Sequence, residues 1–452
     1  MVDSVARALN IEREELPLAL LAALFFFCVL CGYFFLRPVR DAMGVSGGMD
    51  DLRWLFALTS VASLILVLAF GGVVARMNRR KFIPVAYLFV IGCLVVFSAL
   101  LVVDARAGGG LIGSDAQTPL ARGVGYTFYV WLSSINLFVN SVFWAFMVDV
   151  FSVDQGKRMF AFIGIGGTLG ALAGGWATTV ISGSTESIYL PVGLMLLAAG
   201  FFGAAIVTML VLDRLALRSE HSTLSAQRAA PAREGGPASE GPIGGTFWEG
   251  AKAVAVSPYL LGIGAYIVLM AISNTMIYFA QANLILESSD TFSQLVGNFA
   301  QFDMFAQVAT LLTQMFVTTH IIRKLGVGWT LAILPIVTMA GFAILSFWTV
   351  LGVMAVFQAV HRATRYAVSR PSRETLFSVV SPAEKYKAKP VVDVFVYRGG
   401  DLAGVGIDSL FAAMGLGLGA VAAATVPLAG LWTFLSVALG RAQARRDSSG
   451  ST

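Results

Sequence analysis

Apolar windows of about 20 residues, rich in Leu, Val, Ile, Phe and Ala, recur along almost the whole chain and are separated by short polar or glycine-bearing breaks. Runs of this length and apolarity predict helices that cross a lipid bilayer. Twelve such spans are predicted, at 17–43, 52–75, 82–103, 124–150, 158–181, 188–212, 259–281, 293–321, 327–348, 350–368, 391–413 and 418–440. The span at 350–368 is the least regular, because it runs into Arg362 and Arg365. Twelve apolar windows of this length make the expected fold class all-α and polytopic.

The polar breaks orient these spans. Arg76, Arg79, Arg80 and Lys81 follow the second span, Lys157 and Arg158 the fourth, and Arg323 and Lys324 the eighth. Arg370, Arg373, Lys385, Lys387 and Lys389 follow the tenth, and Arg441, Arg445 and Arg446 the last. The alternate loops are poor in basic residues, and cytoplasmic loops carry the excess of Lys and Arg, so both termini are expected in the cytoplasm. Residues 218–245 are rich in Ala, Gly, Ser, Pro and Arg and cannot bury apolar surface, which predicts a flexible cytoplasmic linker. The expected organisation is a cytoplasmic segment at 1–16, a six-helix half at 17–212, a linker at 213–257, a second six-helix half at 258–440 and a tail at 441–452. About 12 transmembrane helices in two halves is the layout of a major-facilitator-type transporter, where substrate binds near the midplane.

Composition agrees with this pattern. Of 452 residues, 57% are hydrophobic and only 13% charged, with mean hydropathy +0.79, against about 25% charged in a soluble domain. A net charge of +5 raises the question of nucleic acid, but the basic residues sit in short loops between apolar runs, so no nucleic-acid partner is expected. The polar opening segment, with Glu12, Glu14 and Glu15, does not resemble a cleavable signal peptide. Cys28 and Cys31 have the spacing of a redox motif, but they lie in an apolar run with no βαβ context and read as small membrane-helix residues.

The stretch from Phe143 to Gly175 concentrates three signals. Asp149 ends an apolar span, and a carboxylate at membrane depth is costly, by about 2.5–3.5 kcal/mol at a helix centre. Lys157 and Arg158 mark a turn. Gly166, Gly170 and Gly174 then repeat every four residues, a small-residue stripe that lets another helix approach. Other charges also fall inside spans. Arg37, Arg40 and Asp41 close the first span, with the two arginines three apart on one face. Such a pair suits a carboxylate or phosphate, the alternative being snorkelling at the outer interface. Asp303 lies in the middle of span eight, and Gln358, His361, Arg362 and Arg365 lie in span ten. Span eleven carries Asp393, Arg398, Asp401 and Asp408, of which Arg398 and Asp401 are spaced for an internal ion pair.

Enzyme signatures are absent from the sequence: no HExxH, GxSxG or Walker A occurs, no metal-ligand cluster is evident, and no cofactor is expected. Gly164-Ile-Gly166-Gly167-Thr-Leu-Gly170 resembles a dinucleotide loop, but its last glycine is one residue late and its context is helix to helix. With no soluble ATPase domain, transport would draw on a gradient or on exchange.

Several segments resemble the ATP/ADP translocase-type nucleotide transporters, a family with the major facilitator fold. FWAFMVDVFSVDQGKRMFAFIGIGG is similar to their span-four motif and YFFLRPVRDAMGV to their first-helix motif, and RATRYAVSRPSRETLF and KAKPVVDVFVYRGG are similar to their late motifs. The matches are scattered from about Tyr33 to Gly400. The resemblance implies that Arg40 stands where the family has a substrate-linked lysine, Asp149 at a functional glutamate, and Lys387 or Lys389 at a late functional lysine. The chain departs from the pattern in span seven, where the family carries an acidic residue and a nearby lysine and this sequence offers Asn274, Gln281 and Asn283.

The expectation is a bacterial inner-membrane secondary transporter or exchanger that works by alternating access. Its substrate would be a small anionic metabolite, a nucleotide or another phosphorylated compound, and its only other partner the lipid bilayer around a monomer. The candidate substrate residues are Arg37, Arg40, Asp41, Asp149, Asp303, Arg362, Arg365, Lys387, Lys389 and Asp393. Two alternatives stand beside it: a proton-coupled exporter of a drug-like or neutral solute, with Asp149 and Asp303 carrying protons, and a membrane-embedded assembly or lipid-handling protein without flux.

Overall fold

The computed structural model describes residues 15–74, 79–110, 112–114, 117–151, 153–227, 247–316, 318–381, 384 and 388–450, and every described element is helical. In chain order these are α1 (Leu16–Val45), α2 (Met49–Val74), α3 (Arg79–Arg106), α4 (Pro119–Val150), α5 (Val153–Ser184), α6 (Leu190–Gln227) and a short α7 (Phe247–Val256). They continue with α8 (Pro258–Glu287), α9 (Phe292–Phe316), α10 (Thr318–Phe347) and α11 (Leu351–Thr364), which passes through a π-helical turn (Arg365–Ser369) into α12 (Arg370–Thr375). A second π-helical segment (Val391–Val396) leads into α13 (Tyr397–Ala413), and α14 (Leu418–Gly450) follows. Each predicted span overlaps one of these helices or continuous helical segments, but the one expected at 293–321 runs past the end of α9 at Phe316 into α10. Among the described residues, eight helices are long and apolar enough to cross a bilayer.

Local sequence explains several boundaries. Thr118 caps α4 by accepting a hydrogen bond from the Ala121 N–H (3.1 Å), with Pro119 at the first helical position. Ser257 and Pro258 repeat that arrangement at α8. Within α10 the backbone breaks at Gly326, whose φ of 68° lies in the left-handed region that glycine adopts without strain, so the membrane-spanning part starts after it. Within the segment expected as a flexible linker, 213–257, α6 continues to Gln227, carried by good helix formers such as Leu215, Ala216 and Leu217, and α7 covers Phe247–Val256. Residues 1–14 and 228–246 lie outside the described residues.

The chain forms two compact units. The first comprises Met1–Met43, Leu66–Ser239 and Thr291–Gln301, and the second Gly44–Ile65, Glu240–Asp290 and Phe302–Thr452. In the first unit α5 lies against α1 along the glycine stripe. A Cβ on Gly166, Gly170 or Gly174 would run into the backbone of Ala23, Phe27 or Cys31, respectively. Both rows advance by four residues, which is the ridge spacing of close helix packing. Around this seam the interior is aromatic: Phe26 stacks on Phe143 at 4.1 Å, Phe25 meets Tyr87 at 6.0 Å, and Phe35 meets Phe201 at 5.6 Å. Lipid supplies no hydrophobic drive between helices, so such interlocking contacts and small residues hold them together.

The second unit is built on α8, α10, α13 and α14. Gly400 and Gly404 of α13 are a second four-spaced pair; a Cβ at either would collide with Ala271 and Val268, or with Thr275, on α8. Where α10 crosses α14, Gly328 and Gly440 face each other so closely that a Cβ on Gly440 would collide with the Gly328 backbone. The buried core between these helices includes Tyr266, Leu331, Leu334 and Trp432, with Tyr266 and Trp432 packed edge to face at 5.5 Å. Tyr259 donates to the Leu376 carbonyl (2.9 Å) and fixes α8 to the end of α12.

Candidate substrate site

In the first unit Pro38 interrupts the hydrogen-bond ladder of α1 between Arg37 and Arg40. Both guanidiniums converge on Asp41. Arg40 donates to its Oδ1 through Nε (3.0 Å) and Nη2 (2.6 Å), while Arg37 Nε stands 4.0 Å from its Oδ2. The Asp41 carboxylate is only 3% exposed. Arg40 also donates through Nη1 to Ser133 Oγ (3.4 Å) and lies over the ring of Tyr129 at 5.6 Å, while Arg37 lies over Phe34 at 5.8 Å. Tyr129 and Ser133 of α4, four residues apart on one helix face, were not expected; a serine pair inside an apolar span was their only signal. Asp149 ends α4 on an exposed face, next to the exposed Val148. The side chains of Lys157 and Arg158 lie outside the described residues.

In the second unit the in-span charges are arranged in pairs. Arg362 on α11 donates to Asp303 on α9 at 2.7 Å. Arg398 and Asp401 form the expected i, i+3 pair at 3.0 Å, and Thr275 of α8 also donates to that carboxylate. Arg373 reaches Asp393 at 3.4 Å, and Lys389 reaches Glu374 at 2.5 Å, so the late basic segment is cross-linked to α12. Lys387 lies outside the described residues.

Arg365 differs from the rest. It opens the π turn in which the Arg370 N–H reaches back five residues to the Arg365 carbonyl. That wider turn precedes Pro371, which has no N–H to contribute, and π turns recur at functional sites. Arg365 donates through Nη2 to the Tyr397 hydroxyl (2.8 Å) and lies over the rings of Tyr366 (5.4 Å) and Tyr397 (5.8 Å). Among the described residues it has no carboxylate within ion-pair distance. A guanidinium held by a phenol and two aromatic faces keeps its orientation and its charge, and it can receive a planar or tetrahedral anion through its remaining donors. Tyr397 was missed at the sequence level, because its place beside Arg365 depends on how two helical segments fold back on each other. Within the described residues no three His, Cys, Asp or Glu side chains group as a metal site.

Comparison with known proteins places this geometry in context. A family model for the TLC ATP/ADP transporters matches residues 118–351. ADP,ATP carrier protein 1 of Chlamydia pneumoniae is 22% identical over 447 residues, covering 87% of this chain and 84% of that protein. Its counterpart in Chlamydia trachomatis is 20% identical, with 87% and 82% covered. Among solved structures, the nucleoside transporter NupG is similar with a TM-score of 0.59 and 13% identity over 95% of this chain and 99% of that one. A bacterial homologue of the iron transporter ferroportin gives a TM-score of 0.63 at 12% identity, with 94% and 99% covered. At such identities these structures speak for the fold alone, which is the major facilitator fold expected from the span pattern. With its family model matched over more than half its length, the chain belongs to the TLC ATP/ADP transporter family.

Proposed function

We propose that this protein exchanges nucleotides, ATP and ADP foremost, across a bacterial inner membrane by alternating access, as a monomer with both termini in the cytoplasm. The observation that carries the anionic part of this reading is Arg365, a guanidinium held by Tyr397 and two rings and, among the described residues, outside ion-pair distance of any carboxylate. The Asp401 carboxylate on the same side is already held by Arg398 at 3.0 Å, so an arriving phosphate gives Arg365 a counter-charge of its own. The family and the Chlamydia relatives, which are named for ADP and ATP, support a nucleotide as the carrier of that phosphate. Within the first unit the Arg37–Arg40–Asp41 cluster is a basic group of its own, with Asp41 holding both guanidiniums in place between substrates. Asp149 serves as the counter-charge that a cationic side chain takes up when substrate leaves.

The test is a thermal-shift screen of the purified protein against nucleoside triphosphates and diphosphates, sugar phosphates and dicarboxylates. A ligand that binds only the folded state stabilises it by mass action, by about 2.7 kcal/mol at a hundredfold excess over its Kd. Stabilisation by nucleotides and by no other class is the expected result. Stabilisation by dicarboxylates or by uncharged solutes instead would overturn the reading.

A further inference from the structure

Gln358, His361, Arg362 and Arg365 follow one another at spacings of three, one and three along α11 and the turn after it, so they form a single polar stripe on one helix face. The two arginines are engaged as described above. Gln358 and His361 are more than nine-tenths buried, and among the described residues neither Oε1 of Gln358 nor Nε2 of His361 has a hydrogen-bond partner. On α8, which packs against α11, Ser273 Oγ and Asn274 Nδ2 are likewise buried without a partner. Buried polar groups in folded proteins are almost always satisfied, and each orphan costs about 1–3 kcal/mol, so four on two adjoining helices call for an explanation.

We propose that Gln358 and His361 form a recognition subsite for the edge of a nucleobase, next to the phosphate-binding Arg365. Three properties of the ligand follow from these groups. They are uncharged or readily neutral, so the ligand portion is polar and not ionic. They comprise an amide oxygen that accepts and a ring nitrogen that donates or accepts according to its tautomer, so the ligand edge carries both kinds of group. Gln358 stands seven residues from Arg365, about 10 Å along the helix axis, which is the scale of a nucleoside phosphate laid out from base to phosphates. This inference rests on the nucleotide reading and adds that the base is read, and where.

The experiment compares ATP with inorganic tripolyphosphate, which carries a similar triphosphate without base or sugar, by equilibrium binding to purified protein in nanodiscs. Wild type is expected to bind ATP at least about tenfold more tightly, because a site built to hydrogen-bond a substrate discriminates against a ligand that lacks the partner groups. Gln358→Leu and His361→Phe should bring that ratio towards one while leaving tripolyphosphate affinity unchanged, and His361→Gln, which keeps a donor and an acceptor, should retain most of it. The wild-type comparison needs no variant and stands even if a substitution fails to fold. Equal affinity of wild type for both probes, or variants that keep the ATP preference or weaken both ligands alike, would overturn the subsite and leave phosphate binding in place. Failure of wild type to bind either probe would instead overturn the nucleotide reading itself.

Discussion

Arg53 and Asp408 lie 355 positions apart in the chain, yet Arg53 Nε and Asp408 Oδ2 form an ion pair at 2.7 Å. Arg53 also holds Asp50 at 2.6 Å, and the side chains of Arg53 and Asp408 are 15% and 9% exposed. The pair ties the start of α2 to the C-terminal half of α13, and nearby Phe56 packs against Tyr278 and Phe279 of α8 at 5.5 and 5.4 Å. Removing one member of a buried pair strands the other. Asp408→Ala is therefore expected to destabilise the protein by about 3 kcal/mol or more, and the double change Arg53→Met with Asp408→Leu by less. Thermal unfolding in detergent measures both, and a double variant less stable than Asp408→Ala would contradict the assignment.

The glycine seam of α5 gives a sharper packing test than bulk alone. Gly170→Ala places one methyl against the Phe27 backbone, which cannot swing away, and overpacking of this kind costs about 1–3 kcal/mol. Gly164 has nothing within 4 Å of the position a Cβ would take, so Gly164→Ala should be neutral or slightly stabilising. Equal melting temperatures for the two alanine variants would mean that the seam is not a close contact.

Arg40 uses three of its donors in two directions, towards Asp41 and towards Ser133. A lysine ammonium is a point charge and cannot reproduce that fork. Arg40→Lys should lower nucleotide affinity about tenfold, equivalent to about 1.4 kcal/mol, and Arg40→Ala should lower it further. Isothermal titration distinguishes the two, and a lysine variant with wild-type affinity would place Arg40 outside the substrate path.

Tyr397→Phe removes the hydroxyl that Arg365 holds at 2.8 Å but leaves the ring beneath the guanidinium. Loss of a hydrogen bond to a charged group costs about 1.5–3 kcal/mol when the partner stays unsatisfied. Because phosphate then replaces the lost partner, the effect should fall on the stability of the unliganded protein more than on the complex. Thermal unfolding with and without ATP should show a larger nucleotide-induced shift in Tyr397→Phe than in wild type, and a smaller shift would count against Arg365 as the anion's contact.

Much of the fold was legible because lipid imposes a simple rule: apolar runs of the right length become helices. The run from Leu16 to Val45 and the four-spaced glycines from Gly166 to Gly174 carried both element and contact in their local pattern. So did Arg398 and Asp401, whose partnership needs only helix geometry. Pairings that depend on tertiary approach left no such trace. Nothing near Arg53 points to Asp408, nothing near Arg365 points to Tyr397, and the Gly328–Gly440 crossing joins two glycines with no shared spacing. The π turns were also hidden, since a proline such as Pro371 marks a disturbed helix without saying whether it breaks, kinks or widens. Of the candidate site residues, the arginines and Asp303 were found from the cost of charge in a membrane, while their uncharged neighbours Tyr129, Ser133 and Tyr397 raise no comparable alarm.

The central claim is exchange of nucleotides through Arg365, and counterflow in proteoliposomes tests it most directly. Vesicles loaded with unlabelled ADP should take up labelled ATP saturably, vesicles without internal nucleotide should take up little, and Arg365→Ala protein reconstituted at equal density should lose the uptake. Labelled ATP entering empty and loaded vesicles alike, an Arg365→Ala variant with wild-type flux, or transport of a neutral solute driven by a pH gradient and indifferent to nucleotide would contradict the account.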